Sequence, residues 1–379
     1  MKRCPYARQC GGCQYQGIPY EEQLKRKQKR SEELLGSFGK VEPIIGSDPY
    51  LQYRNKAQIS FMSMNKKILM GNYMTGTHRI VEIEQCELLP DLTNEIFRTI
   101  RELLLSFRLS VFNEHTMEGF LRHVLIRTDS NAEKAMVTLV TGTKIFPKKK
   151  DFLKELLRRH PQIISVIQNV NARHTSMILG DYSMVLYGKG YIEDELCGYR
   201  FRISPESFYQ INHAQTEKLY ASAILAADPN PQDTVLDAYC GIGTIGICLA
   251  EKVNKVIGVE INKQAIRDAG INAEINHLEN TVYFAEDAGE FMRKHSKQKD
   301  IDTVIMDPPR AGADKVFLSS LVQLNPKKIV YISCNPETQK RDLQYLTARG
   351  YKVGLIQPYD LFPMTEHIES VVKLTRTRS

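Results

Sequence analysis

Apolar and polar positions alternate in the middle of the chain. Between about residues 48 and 195, stretches such as 57–62 and 135–140 are rich in β-branched residues, and helical patterns near 91–107 and 149–159 interrupt them. Separate strands and helices that share one region of the sequence predict an α+β domain.

From about residue 214 the pattern changes, because helical stretches now alternate with short, continuous apolar runs. This alternation predicts an α/β domain with a parallel, doubly wound sheet and right-handed crossovers. The runs that we predict to be buried strands are 234–236, 256–259, 303–306 and 328–332.

A charged helical stretch precedes both regions, at about residues 19–36, and ends at Gly36. The length of 379 residues is enough for two or three domains with their own cores. We predict three parts: residues 1–47 hold a loop and this basic connecting helix, residues 48–195 form the α+β domain, and residues 196–379 form a Rossmann-like α/β domain.

The composition favours a cytoplasmic protein. No segment approaches the roughly 18 consecutive apolar residues of a membrane span, so we expect no membrane partner. Eight cysteines without a secretory signal indicate reduced thiols, metal ligands or catalysis rather than disulfides. The net charge of +7 suits a polyanionic partner, and basic segments at 25–30 and 148–150 carry part of it. Nothing in the sequence indicates an obligate protein partner.

A glycine-rich loop follows the first strand of the α/β region. Asp237 precedes a G-x-G-x-x-G motif at 241–246, which also occurs in dinucleotide sites. The carboxylate of Asp237 would repel a pyrophosphate, whereas it would attract the sulfonium and ammonium of S-adenosyl-L-methionine. Glu260, at the end of the next strand, suits two ribose hydroxyls, and Asp287 is placed to meet an adenine. We therefore expect S-adenosyl-L-methionine as the cofactor.

Four cysteines in the first part of the chain have the spacing of a metal site. Cys4, Cys10 and Cys13 follow C-x5-C-x2-C, and Cys86 stands alone between a predicted strand and a turn. Four thiolates suit zinc or an iron–sulfur cluster, and the spacing does not choose between the two. Radical chemistry with S-adenosyl-L-methionine needs an open iron, which a fourth cysteine would occupy.

Three motifs near the C-terminus complete a candidate active site. Asp307-Pro308-Pro309-Arg310 ends one predicted strand, Cys334 follows another, and Glu369 closes a His-Ile-Glu sequence. With the glycine loop, they indicate a substrate clamp, a nucleophile and a base. The whole set resembles the RNA uridine C5-methyltransferase family, which uses S-adenosyl-L-methionine to make 5-methyluridine in ribosomal and transfer RNA. The resemblance extends from Cys4 to Glu369.

The resemblance implies a role for each motif. Residues 196–379 would be the methyltransferase domain. Cys334 would add to C6 of uracil, since C5 alone is too weak a nucleophile, and Glu369 would later remove the C5 proton. Glu366 is a nearby alternative base, but the family pattern of histidine, any residue and glutamate selects Glu369. The residues that match cofactor or target contacts are Gln210, Tyr239, Thr244, Glu260, Asp287 and Asp307, with Thr244 standing where some relatives have asparagine.

Two further implications concern the cysteines and the turn at Arg310. By resemblance, Cys4, Cys10, Cys13 and Cys86 would hold a four-iron, four-sulfur (4Fe-4S) cluster that pins the N-terminal loop onto the central domain. Arg310 follows two prolines where other base methyltransferases have an aromatic residue or a cysteine, and this departure favours uracil as the target.

Basic residues beside aromatic ones are expected to contact RNA. The segments 53–56 and 120–123 would neutralise phosphates while the target nucleotide is flipped out of its stack. Cluster-bearing bacterial relatives commonly modify large ribosomal RNA, so we expect 23S ribosomal RNA as the substrate, with the transfer RNA T-loop as the alternative. Some relatives carry an additional N-terminal β-barrel (TRAM) domain, which we expect this chain to lack because its cysteines begin at residue 4.

Two other classes of protein share part of this pattern. An iron–sulfur oxidoreductase with a dinucleotide fold would use the glycine loop and the cysteines differently, and it would bind NADH instead of S-adenosyl-L-methionine. An RNA-binding assembly factor would keep the fold without catalysing methyl transfer.

Overall fold

The two hydrophobic patterns correspond to two separate seven-stranded sheets in the computed structural model, which describes residues 4–64, 67–74, 77, 79–297 and 300–377. The chain divides into two compact units. The first comprises Met1–Gly17, Pro49–Asp194 and Ile203–Glu206, and the second comprises Ile18–Asp48, Glu195–Arg202 and Ser207–Ser379. Within the described ranges, no helix is both long and apolar enough to cross a membrane.

The first unit is built on one mixed sheet. Its strands are β1 (Lys56–Met64), β2 (Lys67–Tyr73), β3 (Ile80–Glu82), β4 (Leu121–Thr128), β5 (Ala135–Thr141), β6 (Ile163–Val170) and β7 (Tyr182–Gly188), and its helices are α2 (Asp91–Ser106) and α3 (Lys149–Arg159). The strand order is β3-β2-β1-β4-β5-β6-β7. Only β5 and β6 pair in parallel, because α3 makes the crossover between them.

Helix α2 shows why this unit has a single core. Its apolar residues Ile96, Ile100, Leu103 and Leu104 recur every three or four positions and are completely or almost completely buried. They join Val124 of β4 in one hydrophobic cluster with residues of β1, β5 and α3. The α+β prediction for this region is confirmed.

The second unit contains the other sheet and most of the helices. Its elements are α1 (Tyr20–Leu35), α4 (His213–Ala227), β10 (Thr234–Ala238), α5 (Thr244–Leu249), β11 (Lys255–Glu260), α6 (Lys263–Ile275), β12 (Thr281–Ala285), α7 (Ala288–His295), β13 (Thr303–Met306), α8 (Lys315–Leu324), β14 (Lys328–Ser333), α9 (Pro336–Thr347), β15 (Tyr351–Tyr359) and β16 (Glu369–Arg376). Strands β8 (Ile192–Leu196) and β9 (Tyr199–Ile203) form a two-stranded sheet, and the boundary between the two units falls within these strands.

The strand order of this sheet is β12-β11-β10-β13-β14-β16-β15. The first five strands are parallel, which confirms the predicted parallel sheet; four of them match the predicted runs, and β12 was not among those runs. The chain winds from β10 through β11 to β12 on one side and through β13 to β14 on the other, so the order reverses between β10 and β13. Open α/β sheets bind their ligands outside the carboxyl ends of the strands at such a reversal.

The last two strands differ from the predicted parallel arrangement. Strand β16 lies between β14 and β15 and is antiparallel to both. Short apolar runs look alike in parallel and antiparallel strands, so the sequence pattern did not reveal this pair. Its consequence is that β16 begins beside the end of β14, at the same edge of the sheet.

Candidate active site

The predicted site residues line the carboxyl edge of the second unit's sheet. Glu260 is the last residue of β11. Tyr239 directly follows β10, Asp307 directly follows β13, and Cys334 directly follows β14. Neighbouring strands lie about 5 Å apart, so these side chains form a row across the edge. Asp287 begins the next helix after β12 and extends the row on the far side. The fold therefore brings together residues that are widely separated in sequence.

The glycine loop packs tightly between β10 and α5. Gly243 has a φ of +82°, a left-handed conformation, and Gly246 approaches β10 and β11 so closely that a Cβ there would lie 2.9 Å from Val256 and 3.0 Å from Asp237 Oδ2. The Gly246 N–H donates a hydrogen bond of 2.9 Å to Asp237 Oδ2. A side chain at Gly246 would push the helix away from the strand, which explains the glycine spacing.

Negative charge is concentrated around this loop. Burial, followed by the charges of Asp307 and Glu260, raises the pKa of Asp237 to about 7, while the hydrogen bond from the Gly246 N–H opposes the rise. Asp307 and Glu260 therefore lie close enough to Asp237 to repel it when all three carboxyl groups are ionised. A cationic ligand relieves that repulsion, whereas a pyrophosphate would increase it. The electrostatics therefore favour a sulfonium cofactor over a dinucleotide.

Glu260 and Asp287 are held in place by local backbone contacts. Glu260 Oε1 accepts a hydrogen bond of 2.9 Å from the Asn262 N–H, and Asp287 Oδ1 accepts one of 2.9 Å from the Glu290 N–H. Asp287 is thus the N-cap of α7 as well as a candidate cofactor contact, and its side chain is exposed at the sheet edge.

Aromatic and hydroxyl groups complete this half of the site. The Tyr239 ring packs on Phe317 with centroids 5.0 Å apart, and Tyr239 has a φ of +65° in the turn after β10. Thr244 Oγ1 and Tyr220 Oη lie 3.0 Å apart in a buried hydrogen bond. Gln210 is buried. Sequence reasoning did not identify Tyr220, since a tyrosine in a helix pattern carries no signal of such a contact.

The turn after β13 is tied to the loop that carries the cysteine. The carbonyl of Arg310 accepts hydrogen bonds from Asn335 Nδ2 at 3.2 Å and Thr338 Oγ1 at 3.3 Å. Arg310 Nη2 lies 3.2 Å from His367 Nδ1. These contacts join three motifs that the sequence showed only separately. Asn335 is the N-cap of α9, and Pro336 is the first residue of that helix.

Cys334 and Glu369 meet across the antiparallel pair. The last paired residues of β14 and β16 are Ser333 and Ser370, so the next opposite positions are Cys334 and Glu369. Directly opposite residues of an antiparallel pair have Cβ atoms about 5 Å apart. Cys334 is half-buried and Glu369 is only 1% exposed. Among the described residues, Glu369 Oε1 has no hydrogen-bond partner. Glu366, by contrast, is exposed.

The environment of this pair disfavours charge when no substrate is bound. Burial, followed by the charges of Glu369 and Asp307, raises the pKa of the Cys334 thiol to about 12, while the guanidinium of Arg310 opposes the rise. Burial also raises the pKa of Glu369 well above its usual range, and the charge of Asp307 adds to the effect. A carboxyl group with a raised pKa is a stronger base once it is ionised.

The four N-terminal cysteines lie in the first unit. The Tyr6 hydroxyl accepts a hydrogen bond of 3.1 Å from the Glu84 N–H, and Asn94 bonds both the N–H and the carbonyl of Cys86. Burial and the charge of Cys86 raise the pKa of Cys13 to about 11. Burial also raises the pKa of Cys4 and of Cys86, and the charge of Cys10 adds to both effects.

Cys10 therefore lies within electrostatic range of the other three thiols. Across the part of the chain that the structure describes, however, no three His, Cys, Asp or Glu side chains are grouped as metal ligands. Cysteine thiols are donors that bind zinc or iron once they are deprotonated, and a bound cation would favour that deprotonation.

Two of the predicted RNA contacts are instead internal. Arg122 is 4% exposed, binds both carboxylate oxygens of Glu114 at 2.6 and 2.7 Å, and donates to two backbone carbonyls. Burial lowers the pKa of His123 to about 4, and its ring bonds Ser60. The prediction that these two residues contact phosphates is wrong, because both are used inside the unit.

The lysines of the basic helix α1 also differ in whether they are buried or exposed. Lys27 is buried, while Lys25 and Lys29 are exposed. Arg54 and Lys56 of the first unit are half-buried, and burial lowers the pKa of Lys56 to about 8 with the help of Arg127. Exposed cations are therefore fewer than the sequence clusters suggest.

Comparison with known proteins gives a consistent result. A family model described as tRNA (Uracil-5-)-methyltransferase matches residues 19–377. An uncharacterized RNA methyltransferase of Oceanobacillus iheyensis is 39% identical over 373 residues, which are 97% of this chain and 81% of the relative. An uncharacterized RNA methyltransferase of Clostridium acetobutylicum is 39% identical over 383 residues, with 98% and 83% coverage.

A solved structure is similar over almost the whole length. The tRNA (uracil-54, C5)-methyltransferase of Pyrococcus abyssi, in complex with S-adenosyl-L-homocysteine, has a TM-score of 0.81 and 30% sequence identity to this chain. The match covers 96% of this chain and 86% of that protein.

Proposed function

Because the chain belongs to the tRNA (uracil-5-)-methyltransferase family, we propose that it methylates C5 of a specific uridine in 23S ribosomal RNA through a covalent bond between Cys334 and C6. The observation that carries the proposal is the position of Cys334 and Glu369, each one residue beyond the last pair of β14 and β16, at the carboxyl edge of the sheet. A nucleophile and a base on opposite strands can act on adjacent carbons of one pyrimidine ring.

S-adenosyl-L-methionine is the methyl donor. In the proposal, Asp237 and Asp307 provide the negative field for its cationic groups, and Glu260 binds the ribose hydroxyls. Asp287 faces the adenine, and Gln210, Tyr239 and Thr244 complete the contacts. The buried Gly246 bond to Asp237 supports this assignment, because it fixes the carboxylate at the mouth of the loop.

The reaction begins when Cys334 releases its proton to solvent and the resulting thiolate sulfur bonds to C6 of uracil. The electron pair displaced from the C5–C6 double bond makes an enolate, and C5 then takes the methyl group from the cofactor, which leaves as S-adenosyl-L-homocysteine. Glu369, as a carboxylate, removes the C5 proton. The C5–C6 double bond re-forms as the C6–sulfur bond breaks, which returns Cys334 as a thiolate and releases 5-methyluridine.

The proposal also assigns the four N-terminal cysteines to a 4Fe-4S cluster. The support is the chemistry of four thiols whose charges affect one another within one unit. Cys4, Cys10, Cys13 and Cys86 would hold the cluster, which would link the N-terminal loop to the segment before α2. No step of the methylation uses it.

The choice of RNA follows the cysteines, since cluster-bearing relatives commonly modify large ribosomal RNA. A second candidate is the transfer RNA T-loop, which the similarity to the Pyrococcus abyssi enzyme favours. Mapping 5-methyluridine by mass spectrometry in a strain without this gene tests the choice. We expect loss from 23S ribosomal RNA and an intact T-loop. Loss confined to the T-loop would move the assignment to transfer RNA without changing the roles of Cys334 and Glu369.

A further inference from the structure

Helix α1 buries a lysine that belongs to none of the sites described above. Lys27 Nζ lies 2.6 Å from Asp360 Oδ1, and both side chains are 0% exposed. The same ammonium donates a hydrogen bond of 3.1 Å to the carbonyl of Phe362. One helical side chain therefore holds two points of the connection between β15 and β16.

Gln23, one turn earlier on α1, holds a third point. Its Oε1 accepts a hydrogen bond of 3.0 Å from the Met364 N–H, and its Nε2 donates 2.8 Å to the carbonyl of Ile18. Met364 has a φ of +68°, a conformation that a residue with a side chain rarely adopts. The Gln23 contact stabilises this strained turn.

The fixed segment leads directly to the candidate base. The Thr365 hydroxyl donates 2.8 Å to the Phe362 carbonyl and accepts 3.2 Å from the His367 N–H. His367 in turn contacts Arg310, and two residues later β16 begins with Glu369. Hydrogen bonds thus connect α1 with residues 362–367, and this segment ends two residues before Glu369.

A buried ion pair is a costly way to fasten a loop. A buried ion pair adds little net stability to a fold, because both charges lose their hydration. A pair of apolar residues of similar volume often stabilises the fold equally well. Lys27 also does more than pair with Asp360, because it binds a backbone carbonyl whose position an apolar residue would not define. The contacts therefore specify one conformation of the connection.

We propose that Gln23 and Lys27 are positioning residues that hold the β15–β16 connection so that Glu369 faces the carbon from which it removes the proton. The inference rests on the proposed function. Displacement of a catalytic group by about 1 Å can cost on the order of a hundredfold in rate, so loss of these contacts slows the proton removal. Methyl transfer, which depends on Cys334 and the cofactor, is affected less.

The test uses the full-length protein with labelled S-adenosyl-L-methionine and undermodified RNA. Lys27→Met, Gln23→Leu and the double variant Lys27→Met with Asp360→Leu are compared with wild type and with Glu33→Ala, an exposed change on the same helix. The measurements are melting temperature, cofactor affinity, and the fraction of protein that forms an RNA adduct stable to denaturation. We expect adduct in all three variants to rise about tenfold or more, with cofactor affinity within about twofold of wild type.

The double variant separates positioning from stability. Removing both charges restores the melting temperature lost in Lys27→Met, because no unpaired charge stays buried. Adduct that remains high in the double variant supports positioning, and adduct that returns to the wild-type level with the melting temperature overturns it. Wild-type adduct levels in Gln23→Leu also overturn it. If the wild-type protein itself transfers no methyl group, the proposed function is wrong. If the wild-type protein is active but the variants form no more adduct than wild type, only the positioning role is wrong.

Discussion

Cys334 lies opposite Glu369 across the ends of two antiparallel strands, one residue beyond the pair of Ser333 and Ser370. The relationship depends on β16 running against β14, since a parallel strand would place its first residue at the other edge of the sheet. The charge of Glu369 adds to the burial that raises the pKa of the Cys334 thiol, so the thiolate forms more easily when Glu369 is protonated.

Replacement of the nucleophile is expected to stop the reaction without affecting cofactor binding. Cys334→Ala removes the group that adds to C6, so methyl transfer to RNA falls to background while the affinity for S-adenosyl-L-methionine stays near wild type. Labelled methyl transfer and calorimetry measure the two quantities. Cys197→Ser, at another half-buried cysteine of the same unit, is the control and retains activity. Turnover by Cys334→Ala would exclude the covalent route.

Cofactor binding is expected to release protons near neutral pH. The pKa of Asp237 is about 7 without ligand, and a cationic ligand favours the ionised carboxylate. The affinity for the cofactor therefore rises with pH up to about 7 and then levels off. The total rise is about tenfold for each unit by which the cofactor lowers the pKa of Asp237. Calorimetry in buffers of different ionisation enthalpy measures the released protons.

The matched variants for this prediction are Asp237→Asn and Asp228→Asn. Asp237→Asn keeps an oxygen for the Gly246 N–H but removes the charge, so it weakens binding and reduces the proton release. Asp228→Asn changes a residue at the end of α4 whose left-handed conformation suits asparagine, and it leaves both unchanged. Equal proton release in all three proteins would contradict the assignment of Asp237.

Protein purified without oxygen is expected to be brown and to contain iron and sulfide. Cys86→Ala removes one ligand and the anchoring of the N-terminal loop, so it lowers the melting temperature more than it changes the rate per intact enzyme. Metal analysis, the visible spectrum and thermal unfolding test these points. A colourless protein with one zinc per chain would replace the cluster with a zinc site and keep the same four ligands.

Much of this arrangement was readable from sequence. The charged stretch that ends at Gly36 predicted α1, and four apolar runs predicted four of the five parallel strands. The ends of these strands located Asp237, Glu260, Asp307 and Cys334. Features that depend on tertiary partners were not readable. The antiparallel β16 has the same apolar pattern as a parallel strand, and cations clustered in sequence were divided by the fold between solvent and interior.

Arg122 and Lys27 show how the fold divides cations between solvent and interior. Arg122 finds Glu114 and two carbonyls, and Lys27 finds an aspartate more than three hundred residues away in sequence. Neither partner is marked by spacing or composition. A basic segment predicts charge, but only the packed structure shows which charges remain available to RNA.

Exposed and buried cations are therefore expected to affect RNA binding differently. Lys29→Ala removes an exposed charge, so the slope of log affinity against log salt decreases by about one while the melting temperature is unchanged. Arg122→Ala removes the hydrogen bonds to Glu114 and to three backbone carbonyls, so it lowers the melting temperature instead. Salt titrations of RNA binding and thermal unfolding check both. A reduced salt slope for Arg122→Ala at unchanged stability would return that residue to the RNA surface.

The central claim is that Glu369 resolves a covalent bond between Cys334 and the target uridine. In Glu369→Gln the thiol still adds and the methyl group still transfers, but the C5 proton has no base to accept it. The measurement is denaturing gel electrophoresis of this variant with labelled cofactor and undermodified RNA, beside Glu366→Gln. We predict a methyl-labelled protein–RNA adduct that persists in Glu369→Gln and not in Glu366→Gln. Adduct in Glu366→Gln alone would move the base to that residue, and the absence of adduct from Glu369→Gln would contradict the account.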